Sequence, residues 1–176
     1  MAALAESLVD EWLNRQGFFT VRGLKRGVDE IDLLAVRPSG TSFEAWHVEV
    51  QASFRPISYI SKIPKELVAT FGASGTSAKH RPPEVLRSCV KAWVQGKYLS
   101  SKKCKMREEA WQSLAWKFFL VHAEMRWQEE LDCIAEAGIT LLPLLQVLEE
   151  LRNQKQGLLR GGAGTDIAEL IEYFTK

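Results

Sequence analysis

The chain has little cysteine and no pattern in what it has. Cys89, Cys104 and Cys133 are an odd number with no Cys-x-x-Cys pair, which argues against a disulfide framework and a close-spaced zinc site and suits a reduced, cytoplasmic setting. No run approaches the ~18 apolar residues that a membrane span needs. The opening Met1-Ala2-Ala3-Leu4-Ala5-Glu6 lacks a basic n-region and meets an acid too soon for a signal peptide. Nothing repeats, and no segment is low in complexity. Charge of one sign is missing as well: 23 basic against 22 acidic side chains leave +1, so the whole chain is no polycation. What remains is 176 residues, 46% of them hydrophobic, which is enough for one domain over 1–176 with a sizeable core.

The densest pattern lies between Val28 and Gln51. Glu30 to Val36 is rich in strand formers, Arg37-Pro38-Ser39-Gly40 reads as a turn, and Ala45 to Gln51 alternates apolar and polar, so the stretch predicts a β-hairpin. Trp46, Val48 and Val50 then share one face, and His47, Glu49 and Gln51 the other. Asp32 stands mid-strand among apolar residues, where an ionisable group costs free energy unless it is paired or holds a metal. If the register brings Asp32 opposite Glu49, their Cβ atoms lie about 5 Å apart, a spacing suited to Mg²⁺.

Around the hairpin the chain reads in order. Residues 2–16 predict an amphipathic helix with Leu4, Leu8, Val9, Trp12 and Leu13 on its apolar stripe. Glu6 falls only ~20° from Leu13 on that wheel, at the stripe's edge, while Asp10 points to solvent. Phe18–Arg22 predicts the first strand and Gly23–Gly27 a basic turn, whose Lys25 and Arg26 either touch a phosphate backbone or are ordinary loop charges. Ser58–Phe71 predicts a crossover helix carrying Lys62 and Lys65, with Pro64 opening or kinking it. Residues 72–83 form a loop that either faces substrate or merely links.

Glu84–Leu99 predicts a helix, followed by the basic run Ser100–Arg107. Trp93 and Tyr98 within it stack on bases or pack in the core. Residues 79–107 hold nine Lys or Arg, among them Lys79, Arg81, Lys102, Lys103 and Lys105, against one acid, a local net of +8; the rest of the chain is at −7. Such a concentration is what phosphate contacts require. Trp116–Ala123 predicts a buried strand, Gln128–Ala137 a helix, Ile139–Leu144 a strand and Leu145–Gln154 a helix. Residues 157–164 form a link, and Thr165-Asp166 caps a last helix to Phe174.

Ile31-Asp32 and Glu49-Val50-Gln51 resemble the site of the PD-(D/E)XK nuclease superfamily, an Asp on one strand and Glu-x-Lys on the next. The preceding helix with Ala5-Glu6 and Trp12-Leu13, ended by Gly17 before Phe18-Phe19-Thr20-Val21, resembles the branch that contains Holliday-junction resolvases. The resemblance covers roughly residues 1–51; Ile31 stands for the family's Pro, and Gln51 for its Lys.

The resemblance implies an α/β fold with a restriction-endonuclease-like core, a central mixed β-sheet flanked by helices in the order αβββα(α)βαβα. It implies a metal-dependent endonuclease acting on DNA, with Mg²⁺ or Mn²⁺ on Asp32, Glu49 and the Val50 carbonyl, Glu6 as a third acid, and Gln51 in the catalytic cation's slot. Some active restriction enzymes of the superfamily carry Gln there, and a cation that has migrated to Lys62 or Lys65 is the other expectation. His47 either assists as a base or phosphate contact or lies on the surface. A homodimer is admitted, with Trp127 or the C-terminal helix at its interface. The alternative is the same fold without catalysis, binding nucleic acid or a protein partner.

Overall fold

In the computed structural model, which describes residues 2–53, 56–153 and 166, a five-stranded mixed sheet lies between two layers of helices. α1 (Ala2–Arg15) leads into β1 (Phe19–Arg26), β2 (Asp29–Ser39) and β3 (Ser42–Gln51). α2 (Lys65–Phe71), α3 (Pro83–Val94), a π-helical turn (Gln95–Leu99) and α4 (Ser101–Ala110) follow. β4 (Trp116–His122), α5 (Gln128–Glu136), β5 (Thr140–Pro143) and α6 (Leu144–Asn153) complete the sheet and its cover. The strand order is β1-β2-β3-β4-β5, antiparallel through β3 and parallel beyond it. The expected link at 157–164 and last helix fall, apart from helical Asp166, outside the described residues.

The apolar stripe of α1 works as its periodicity predicts except at Leu4, which stays exposed at the first turn of the helix. Leu8, Val9, Trp12 and Leu13 pack with α6 residues Val147 and Leu151 on Leu33, Ala35, Val48 and Val50. At about 1.5–3 kcal/mol for each large apolar side chain removed from water, this layer is a main source of stability. On the opposite face α3 and α5 pack Leu86, Val90, Val94, Leu131 and Ile134 around Tyr98 and Leu120. Met106 of α4 covers Ile31 and Leu34. Asp10 does not point to solvent: it accepts from Thr20 Oγ1 at 2.5 Å and ties α1 to β1.

Three boundaries differ from the sequence reading, each for a local reason. The basic turn at Gly23–Gly27 is strand as far as Arg26, because Lys25 pairs with Glu30 and Arg26 with Asp29 across the ladder. The reversal falls on Gly27-Val28, with Gly27 at φ +63°. Pro38 lies inside β2, not in a turn; β1 begins only opposite Val36, so at Pro38 β2 has a single neighbour and tolerates a residue without an amide hydrogen. The crossover helix is only Lys65–Phe71. Pro64 disfavours helical backbone in the residue before it, and buried Glu130 holds the preceding, bent segment out of a helix by accepting from the Ile60 and Ser61 amides at 2.6 and 2.9 Å.

β2 and β3 part company near their ends. Their ladder runs from Ser39↔Ser42 to Leu33↔Val48, after which β3 continues with β4 alone (Glu49↔Leu120, Val50↔Val121, Gln51↔His122), while β2 continues with β1. A fork opens between the two central strands. Asp32 and Glu49 stand at its mouth.

Candidate active site

Asp32 supplies the hydrogen bond that the fork takes away. Beyond Leu33↔Val48 no residue of β2 pairs with Val50, and the Val50 amide donates instead to Asp32 Oδ2 at 2.8 Å. This satisfies a backbone donor and fixes one carboxylate oxygen. The Asp32 carboxyl is pushed up to about 6, first by burial and then by the charge of Glu49, against the Val50 hydrogen bond and Lys97. Glu49 is 2% exposed, and burial raises its carboxyl too, against the charges of Lys97 and Lys103. Glu6, half-buried on α1, is raised by burial and then by the charges of Asp32 and Glu30. Three carboxyl groups from three elements thus act on one another.

Each oxygen of Glu49 is held by a side chain from elsewhere. Lys97, in the π-helical turn, places its Nζ 2.5 Å from Glu49 Oε2. His47 Nε2 lies 3.1 Å from Oε1, and the Lys103 ammonium, which also donates to the Glu30 carbonyl, is 3.8 Å from the same oxygen. Arg107 Nη1 is 2.9 Å from His47 Nδ1 and 2.8 Å from the Tyr98 carbonyl. Arginine can only donate, so His47 Nδ1 accepts and Nε2 carries the hydrogen that is given to Glu49. Burial, together with the positive charges of Arg107, Lys103 and Lys97, holds His47 well below its ordinary value, which keeps this ring neutral. On Lys97, burial is outweighed by the charge and hydrogen bond of Glu49, and its ammonium is held above the usual lysine range.

Of the residues singled out in the sequence, the fold unites Glu6, Asp32, Glu49 and Val50. Gln51, Lys62 and Lys65 line a cleft of about 420 Å³ beside them, and Lys97 forms part of its wall. The ammonium nearest Glu49 is Lys97, with Lys103 at 3.8 Å on the other oxygen, not Lys62 or Lys65. His47 is neither at the surface nor open to phosphate, since it is wholly buried behind Glu49.

The basic segment is divided. Lys103 and Arg107 are buried and turned inward, and Arg81 is buried with its guanidinium on the Ser61 carbonyl at 2.8 Å and over the Tyr59 ring. Lys102 pairs with Asp29 at 2.9 Å, Arg26 with Glu109 at 2.7 Å and Lys25 with Glu30 at 3.3 Å. Lys79 lies over Phe71, and Lys105 is exposed beside Arg26 and Lys102. The +8 of residues 79–107 is thus in part the counter-charge of the carboxylate cluster, not one continuous outer surface.

Lys97 and the Arg107–His47 pair were missed in the sequence, although a signal exists. Leu86, Val90 and Val94 mark the buried stripe of α3, and Lys97 continues it at i+3 from Val94, a cation on an inward face. Among the described residues no group of three or more His, Cys, Asp or Glu is close enough to hold a metal by itself. No helix of the described residues is long and apolar enough to cross a membrane. Comparison with protein-family models, with curated proteins and with solved structures finds no match for this chain.

Proposed function

We propose that this chain is a metal-dependent nuclease of the PD-(D/E)XK type, with a restriction-endonuclease-like core, that hydrolyses phosphodiester bonds in DNA. The observation that carries the reading is the strand fork with Asp32 and Glu49 at its mouth and the Lys97 ammonium on Glu49. Gln51 leaves the family's cation slot without charge, and Lys97 reaches the same carboxylate from another element.

The residues fit Mg²⁺ or Mn²⁺ in kind. Asp32 and Glu49 offer hard oxygen donors, and after burial the Glu49 charge helps push the Asp32 carboxyl up to about 6, a repulsion that a cation between them would relieve. Asp32, Glu49 and the Val50 carbonyl would hold the ion, with Glu6 at the rim for a coordinated water or a second ion. When bound, the ion lowers the pKa of a water and offsets charge on the phosphoryl oxygens. Lys97 orients the attacking water and stabilises the developing charge, a contribution of several kcal/mol when a positioned donor does it. His47 and Arg107 touch no substrate; they hold Glu49 in one orientation.

The second reading, a non-catalytic module binding nucleic acid or a protein, draws on the engagement of both Glu49 oxygens by side chains. Incubation of the protein with plasmid, linear duplex and single-stranded DNA in Mg²⁺ or Mn²⁺, with Asp32→Asn alongside, separates the two. Metal-dependent cutting that disappears in the variant supports the nuclease. Absence of cutting by the wild type with either metal, or cutting by the variant at the wild-type rate, contradicts it.

A further inference from the structure

The cleft next to the carboxylates has a charge pattern that its neighbours lack. Its wall consists of Gln51, Lys62, Lys65, Trp93 and Lys97 with small or apolar residues between them, and no acid. The cleft around Arg26, Lys102 and Lys105 includes Asp29, and that around Arg81 and Arg87 includes Glu129 and Asp132. Lys62 and Lys65 are exposed, and no ion pair neutralises either among the described residues. Unpaired ammonium groups on a concave wall attract anions.

Trp93 adds a second kind of recognition. Its indole is half-buried, makes a T-shaped contact with Tyr98 at 5.6 Å, and lines the same cleft as the lysines. A base reaches such a ring only when it is out of a duplex stack, and aromatic platforms of this kind hold single strands. The volume, about 420 Å³, lies in the range of small-ligand sites and below what a duplex would need. Lys97 joins the two places, with its Nζ on Glu49 and its side chain in the cleft wall.

We propose that the Lys62–Lys65–Trp93–Lys97 cleft binds one unpaired nucleotide of a single-stranded substrate segment, its phosphate on the ammonium groups and its base against Trp93. This deepens, and rests on, the nuclease reading: the scissile bond adjoins an unpaired nucleotide, so the preferred substrate is single-stranded or carries a frayed or flapped end.

The test uses the full chain as Asp32→Asn, without divalent metal, so that binding is read apart from cleavage. Thymidine 5′-monophosphate, thymidine and inorganic phosphate are titrated and followed by amide chemical shifts. The proposal expects the monophosphate to bind about ten-fold or more tightly than either thymidine or phosphate, with shifts at Trp93 and Lys97. Lys62→Ser with Lys65→Ser should remove the advantage over thymidine; Trp93→Leu should remove the advantage over phosphate, and Trp93→Phe should restore it. Equal binding of monophosphate and thymidine, equal binding of monophosphate and phosphate, or affinity unchanged in the Lys62→Ser/Lys65→Ser variant would each overturn the proposal. If the nucleotide binds as expected but the wild type cuts nothing with metal, the nuclease reading fails while the cleft assignment stands.

Discussion

Lys97 Nζ and Glu49 Oε2 lie 2.5 Å apart although 48 residues separate them in the chain. The pair is unequal: Glu49 is almost fully buried, while the Lys97 side chain retains 37% of its exposure. One partner is fixed by the sheet, and the other enters from the rim with its charge still open to a ligand.

Asp32 is held in a form that the fold resists. It titrates near 6 in the folded chain against about 4 when unfolded, so between those values the folded state binds the extra proton, and stability falls as pH rises through that window. Asp32→Asn keeps an acceptor for the Val50 amide and removes the charge. It should stabilise the metal-free protein at pH 7 by about 1–3 kcal/mol, measured by urea unfolding, and flatten the stability profile between pH 4 and 6. Mg²⁺ should raise the midpoint of the wild type and not that of the variant. A loss of stability in Asp32→Asn would mean that the carboxylate is structural.

Arg107 sets the tautomer of His47. Arg107→Ala strands His47 Nδ1 and the Tyr98 carbonyl in the interior, at a cost of about 2–4 kcal/mol. ¹⁵N shifts of the His47 ring should report hydrogen on Nε2 in the wild type and a mixture of tautomers in the variant. A wild-type ring with hydrogen on Nδ1 would break the chain from Arg107 to Glu49.

Glu130 pins the segment that forms one wall of the cleft. Glu130→Ala leaves the Ile60 and Ser61 amides without their acceptor and should cost about 2–4 kcal/mol. Hydrogen exchange at these two amides should speed up more than in the central strands. Equal acceleration everywhere would show that Glu130 supports the whole fold and not this wall.

Much of this was legible in the residues. The period-two alternation from Ala45 to Gln51 gave the faces of β3, and the stripe of α1 gave its packing, because both depend only on neighbours in sequence. Asp32 could be singled out because a carboxylate amid Ile31, Leu33 and Leu34 is costly wherever the chain folds. The fork was invisible: it depends on where β2 leaves β3 while β3 stays paired with β4, a long-range choice of partner. The origin of the cation was hidden for the same reason, since Lys62, Lys65 and Lys97 differ only in how the segments that carry them dock on the sheet. Lys103 and Arg107 looked like part of a solvated basic face because the groups they answer, Glu49 for Lys103 and His47 for Arg107, lie in the first 50 residues.

In the proposed nuclease Lys97 supplies, from another element, the charge that Gln51 lacks beside Asp32 and Glu49. Single-turnover cleavage of DNA in saturating Mg²⁺ by the wild type, Lys97→Ala and Lys97→Ala with Gln51→Lys tests it most directly. Lys97→Ala should lose about 10²–10³-fold in rate, recovered in part when Gln51→Lys returns a cation to the strand. A Lys97→Ala rate equal to that of the wild type would contradict it.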